Sequence, residues 1–340
     1  SDTLKLNLSG TLTANYTLSG VEIKNVENLE VNSFQTANGF DHTIDLSLAT
    51  GYSSLGLNSS AATGDIVWDN VGTAATVIAK TGGADQTVTY LAALTAGSSD
   101  AQHFELSGYT GNTTVAGVET ISVNSTGTKS TGSLTTTAAN SYTITGDAKL
   151  TISNTLPQLV LAVNGAESTG GFSITLNPLA AYGSAVIGGS GNDTLNLGSA
   201  MTSLTTFAGG AGIDTLKITD AADITPTKTA GISAVEILGA NSADTDQFVA
   251  NTIPGLVGVA SYADDGDDAM DVERAQSVYE PSTPRMETHA DDGDLDSLGV
   301  DELPRMLVKL HTAHKALNGS TDQISLGVLA QLSGKIMLIK

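Results

Sequence analysis

Two nonapeptides constrain the fold of this chain more tightly than anything else in it. Gly188-Gly189-Ser190-Gly191-Asn192-Asp193-Thr194-Leu195-Asn196 and Gly209-Gly210-Ala211-Gly212-Ile213-Asp214-Thr215-Leu216-Lys217 share the pattern G-G-x-G-x-D-x-U-x, with U a large apolar residue, and lie 21 residues apart. Glycine allows positive φ and lets carbonyls turn inward, and the Asp adds a hard anionic oxygen, so each turn offers the ligand chemistry of calcium. Thr-Leu-Asn and Thr-Leu-Lys then run on as short strands that place Leu195 and Leu216 in a core. An offset of 21 residues is about one solenoid coil, so the two turns are expected to stack, with Asp193 and Asp214 facing a shared ion. Without metal, two carboxylates at that spacing repel and the region loosens.

The flanking sequence has the same rhythm. Thr3-Leu4-Lys5-Leu6-Asn7-Leu8 alternates polar and apolar residues as a strand with one buried face does, and Gly, Asn, Ser and Asp punctuate such segments about every ten residues. Ser1-Asp2-Thr3-Leu4-Lys5-Leu6 recurs as Ile213-Asp214-Thr215-Leu216-Lys217-Ile218, which makes Asp2 a third candidate ligand. Val26-Glu27-Asn28-Leu29, Val118-Glu119-Thr120-Ile121 and Val235-Glu236-Ile237-Leu238 form a second recurring element. The expected fold is all-β, an irregular parallel β-solenoid with β-roll-like coils and a small α-helical C-terminal tail. Four segments follow: a β-rich solenoid or β-domain body over 1–187, calcium-binding coils and continuing β-repeat over 188–260, an acidic flexible linker over 261–298, and a helical hairpin over 299–340. A short turn of helix is expected near 242–251, before Pro254. In the tail, Leu303, Met306, Leu307, Leu310 and Leu317 share one helical face.

Composition narrows the functions. Aromatic residues make up 4% of the chain, which suits thin layers of small and β-branched side chains better than one thick core. With no cysteine, neither disulfides nor thiolate sites can brace it. A net charge of -22 repels nucleic-acid phosphates and anionic lipid headgroups, while carboxylates beside turn carbonyls concentrate divalent cations. No apolar run is long enough to span a membrane. The chain opens at Ser1 with neither Met nor signal peptide, so the expectation is a fragment or processed product.

The nonapeptides resemble the RTX family of type I secreted proteins, and the Thr/Ser/Ala/Gly-rich body with its Val-Glu-x-Ile/Leu strands looks like RTX-type bacterial surface-layer proteins. The resemblance implies calcium as cofactor. It also implies a ligand set made of the backbone carbonyls of Gly188, Gly189, Ser190 and Gly191 and of Gly209, Gly210, Ala211 and Gly212, with the Asp193 and Asp214 carboxylates. It further implies a non-enzymatic structural protein outside the cell, on the bacterial surface, whose partners are further copies of itself in a lattice and cell-surface polysaccharide or lipopolysaccharide reached through regions outside this fragment. Long β-rolls use many consecutive nonapeptides, whereas here they are isolated, so few ions and an irregular solenoid are expected. Two alternatives carry the same motif: a segment of an RTX adhesin that holds host or neighbouring cells, and the non-catalytic RTX part of a secreted enzyme.

Other residues read more plainly. Gly82-Gly83-Ala84-Asp85 and Gly146-Asp147 are ordinary turns. Asp292, Asp294 and Asp296 open like an EF-hand loop but lack its glycine and its bidentate Glu, and His311 and His314 have no accompanying carboxylate motif. Trp68, in an alternating strand, is expected in the core rather than against a sugar ring. No Gly-x-Ser-x-Gly elbow, phosphate loop or dinucleotide fingerprint is present.

Overall fold

A computed structural model of the protein describes residues 1–36, 40–220, 223–240 and 253–261. Period-2 alternation dominates this stretch, and a segment with alternating apolar residues buries them only as a strand. The chain accordingly winds into a parallel β-solenoid of about eleven coils, and every strand pairing among the described residues is parallel. Among the described residues the long sheet has 11 strands and runs from Thr3–Gly10 through Asn28–Gln35 and Ser54–Ser60 to Ile232–Ser233.

Opposite it, two sheets succeed one another. The second sheet, of 6 strands, extends from Tyr16–Leu18 to Leu134–Thr136, and the third, of 7 strands, from Ser130–Gly132 to Gly258–Ser261. The handover happens within a single coil, which contributes Ser130–Gly132 to the third sheet and Leu134–Thr136 to the second. Gly132 makes this possible, since a Cβ there would lie 2.0 Å from the Gly111 carbonyl oxygen of the coil below. An apolar cavity of about 20 Å³ remains at the seam, lined by Phe104, Tyr109, Leu134 and Ile152 among others.

Coil length is irregular, as expected from isolated nonapeptides. Register partners are 19 residues apart from Ala101 to Thr120 and 27 apart from Val77 to Phe104. The longer coil absorbs its surplus in a loop containing a 3₁₀ turn, Ala92–Leu94. The only α-helical piece among the described residues is Pro226–Thr229, started by Pro at its first position and by the Thr225 hydroxyl, which accepts from Lys228 N. No helix among them is long and apolar enough to cross a membrane. The linker expected over 261–298, apart from Ser261, the hairpin expected over 299–340, the helix expected near 242–251, the EF-hand-like acids and the two tail histidines lie outside the described residues.

The core is a thin axial column. Val31, Leu55, Leu57, Val77, Val123, Leu195 and Leu216 are fully buried, and the few large side chains, Trp68, Phe104, Tyr142, Phe172 and Phe207, fill single rungs. Trp68 thus packs inside, as its strand context predicts. At the first coil Leu4, Leu6 and Leu8 are only partly buried, because a terminal rung has a neighbour on one side alone. Truncating a mid-column residue should therefore cost more than truncating a terminal one. Leu55→Ala is expected to lose about 2–5 kcal/mol and Leu6→Ala about 1–2 kcal/mol, measured by urea denaturation; equal losses would show that the first coil is as tightly packed as the third.

Candidate metal centre

Both nonapeptides form the corner between the long sheet and the third sheet, one directly on the other. The strands that leave them pair Thr194 with Thr215, Leu195 with Leu216 and Asn196 with Lys217, a constant offset of 21 residues. Within the corner, Ala211 N donates to Gly189 O at 2.9 Å and Thr215 N to Asp193 O at 2.8 Å. The stacking inferred from spacing is therefore present, and it brings Gly188 to Gly191, Asp193, Gly209 to Gly212 and Asp214 together. Asp2 lies elsewhere, exposed in the first coil at the head of the long sheet.

Glycine is required here for two distinct reasons. Gly210 and Gly212 hold positive φ, of 104° and 124°, as argued from sequence. In the first turn Gly188, Gly189 and Gly191 are outside that region, and close stacking excludes a side chain instead: a Cβ on Gly188 would lie 1.9 Å from Gly209 O, and one on Gly189 2.0 Å from Ser168 O.

Asp193 and Asp214 are both completely buried. Asp193 Oδ1 accepts from Phe172 N and its Oδ2 from Gly189 N, each at 2.8 Å. Asp214 Oδ1 accepts from Asp193 N at 2.8 Å, whereas its Oδ2 is buried without a hydrogen-bond partner. One oxygen of each carboxylate is thus committed to the amide of the preceding coil. Burial pushes the Asp214 carboxyl up to about 6; the charges of Asp193 and Glu236 act in the same direction and the Asp193 N–H opposes them. Burial also raises Asp193, against the two backbone donors that hold it down.

The ladder continues to a residue that the metal reading passed over. Asp214 N donates to Glu236 Oε2 at 2.8 Å, while Glu236 N and Ile237 N donate to Asp214 O. The other Val-Glu elements repeat this clasp: Asp100 N donates to Glu119 Oε2 at 2.9 Å, and Asp2 N to Glu27 Oε2. The signal was in the sequence, since each Glu follows its Asp by about one coil. The turn at Asp147 does likewise, its Oδ1 accepting from Gly127 N. On the second sheet the same device runs the other way, with Asp85 N donating to Asp65 Oδ1, Asn112 N to Asp85 Oδ1 and Ser133 N to Asn112 Oδ1.

Among the described residues no group of three or more His, Cys, Asp or Glu side chains could hold a metal ion. A cation at this corner would have to draw most of its ligands from turn carbonyls, which is calcium's habit rather than that of a transition metal. The unpaired, buried Asp214 Oδ2 and the glycine cradle around it, where a Cβ on Gly209 would come within 2.5 Å of that oxygen, fit such an ion. Comparison with protein-family models, with curated proteins and with solved structures returns no match.

In metal-free protein the raised Asp214 carboxyl fixes a pH dependence. Its folded value of about 6 exceeds the unfolded value, about 3.9, so its protonated form is the one that folding favours. The stability this contributes is complete below the unfolded value and is lost as pH rises through 6. Asp214→Asn carries no such charge, so in chelator it is expected to melt above wild type at pH 7 and to approach wild type at pH 4; identical melting curves at both pH values would show that Asp214 ionises in the folded protein at no cost.

Proposed function

We propose that this chain is a non-catalytic structural segment of a bacterial cell-surface protein of the surface-layer kind, built to be completed by extracellular calcium and to associate with copies of itself. The observation that carries this reading is the Asp214 oxygen, buried without a partner in a glycine turn that lies on a second turn of the same pattern. Asp214, Asp193 and the carbonyls of 188–191 and 209–212 would hold the ion. Calcium supplies the positive charge that this stack of carboxylates lacks.

Compartment follows from the expected strength of such a site. Few charged ligands and many carbonyls give weak sites, in the range of about 10⁻⁴ to 10⁻³ M typical of extracellular modules, so occupancy needs the calcium of the cell exterior. The absence of cysteine leaves ion binding and axial packing as the means of bracing the fold there. A parallel stack of coils is also a rigid rod, the form a lattice or a spacer requires.

Calcium should raise the melting temperature measured by circular dichroism and drive assembly measured by light scattering. The double variant Asp193→Ala/Asp214→Ala is expected to lose most of the calcium-dependent rise. An unchanged rise would place the ion elsewhere, and equal order and heat resistance of the wild type in chelator and in calcium would sink the reading. A calcium-stabilised but strictly monomeric chain would favour the adhesin spacer over the lattice.

A further inference from the structure

Charge is distributed very unevenly along this solenoid. The chain carries 36 acidic and 14 basic residues, yet between Leu150 and Ile213 the only charged side chains are Glu167 and Asp193. Asp193 is buried, so Glu167 is the one exposed charge contributed by that whole stretch. Three successive coils therefore form a nearly uncharged belt around a strongly anionic rod.

The same belt exposes large apolar side chains along one edge. Leu159, Leu161, Tyr182, Ile187 and Leu204 are between 48% and 64% exposed. Leu159, Leu161, Tyr182 and Leu204 lie where the chain leaves the third sheet and enters the long sheet, and Ile187 ends the long-sheet strand Ala185–Ile187. Ala185 N donates to Leu161 O at 2.9 Å, and a Cβ on Gly183 would lie 2.6 Å from Leu204 Cβ, so the side chains occupy neighbouring rungs of one surface. Between them the outer face of the long sheet presents Ala162, Ala185 and Thr206 in register, with Ile187 beside Ala208. Two exposed apolar residues outside the belt sit next to charges, Val21 beside Glu22 and Ile213 beside Asp214.

From these features we infer that this apolar edge, Leu159, Leu161, Tyr182, Ile187 and Leu204, is the surface through which one copy of the chain contacts a second. The inference rests on the self-association proposed above and supplies its contact. Two chains of net charge -22 repel wherever acidic faces meet, and the uncharged belt is where two copies approach without that cost. An anionic membrane is repelled by the rest of the rod, which argues against a lipid partner. A self-complementary apolar strip suits a two-fold contact, in which the same patch serves both copies. Three rungs span only about 10–15 Å along the axis. The strip is thus smaller than the ~800 Å² per partner of a stable complex, so a single contact is weak and gains strength only by repetition in an assembly.

The test is sedimentation velocity of the full chain in millimolar calcium over a range of concentrations. Leu161→Glu/Leu204→Glu is expected to weaken self-association roughly ten-fold or more. Thr114→Glu/Thr135→Glu, which adds the same charge to the exposed face of the second sheet, should leave it within about two-fold of wild type. Leu161→Ser/Leu204→Ser removes the apolar groups without adding charge and should weaken association by several-fold. An unchanged β-sheet circular dichroism spectrum shows that each variant is folded. A wild type that stays monomeric at every concentration overturns self-association itself, and this contact with it. A wild type that assembles while both Leu161/Leu204 variants assemble equally well leaves self-association standing and overturns this surface alone. Equal weakening by the Thr114/Thr135 control also overturns it, and so does flotation with neutral phosphatidylcholine vesicles that is lost in the Leu161/Leu204 variants while the chain remains monomeric.

Discussion

In a parallel solenoid each residue lies about 4.8 Å from its register partner in the next coil, and like stacks upon like along the axis. That spacing governs what this sequence can use. A core only one rung deep is filled by Val, Leu and Ile, with room for a Trp or Phe in single coils. Where two turns press together, one must be glycine, and both the seam between the opposing sheets at Gly111 and Gly132 and the corner at Gly188 and Gly209 meet that condition. The same spacing places carboxylates above carboxylates, at Asp193 and Asp214 and again at Asp65 and Asp85. A chain without cysteines tolerates this only if something compensates the charge.

Part of the compensation is the backbone itself. In a parallel ladder a residue's N–H and C=O point to the same neighbour, so the amide just before a strand faces a coil whose own amide points away. Asp214 shows the consequence: its carbonyl accepts from Glu236 N and Ile237 N, and its N–H needs an acceptor that the next backbone cannot supply. The Glu236 carboxylate provides it, as Glu119 does for Asp100 and Asp214 for Asp193. These acids cap strands much as Asp and Ser cap helices, and leaving such a buried donor bare would cost about 1–3 kcal/mol. On the second sheet the amide faces the earlier coil, and there the acceptor, Asp65 or Asp85, belongs to the earlier coil.

This geometry explains which features were legible in the sequence. Alternation in Thr3 to Leu8 and the 21-residue return from Asp193 to Asp214 gave the strands, their parallel stacking and the solenoid. The change of partner sheet at Ser130 to Thr136 was not legible, because its determinant is the close approach of Gly132 to Gly111, a contact between coils that leaves no local pattern. The Val-Glu recurrence was visible, but its purpose was not, since a Glu at a strand start looks like a solvated charge until the amide above it is known. Asp85 and Asp147 read as ordinary turn residues for the same reason: their hydrogen bonds go to Asn112 and Gly127 in other coils, not to their own turns. Asp2 matched the sequence of Asp214 and shares its clasp with a Glu, while lying on a different sheet.

The two nonapeptides, nearly identical in sequence, differ in conformation, and the difference falls on the oxygen that matters. In the first turn Gly189 stays outside the positive-φ region and its N–H donates to Asp193 Oδ2, so both oxygens of that carboxylate hold a backbone N–H. In the second turn Gly210 and Gly212 take positive φ, and Asp214 Oδ2 is left buried and free. Positive φ at these glycines therefore distinguishes a turn closed on itself from one that presents an oxygen. An ionised carboxylate oxygen that accepts one N–H keeps acceptor capacity, so an ion between the coils would draw on Asp193 with the Gly189 bond in place and on Asp214 Oδ2 with no hydrogen bond to displace.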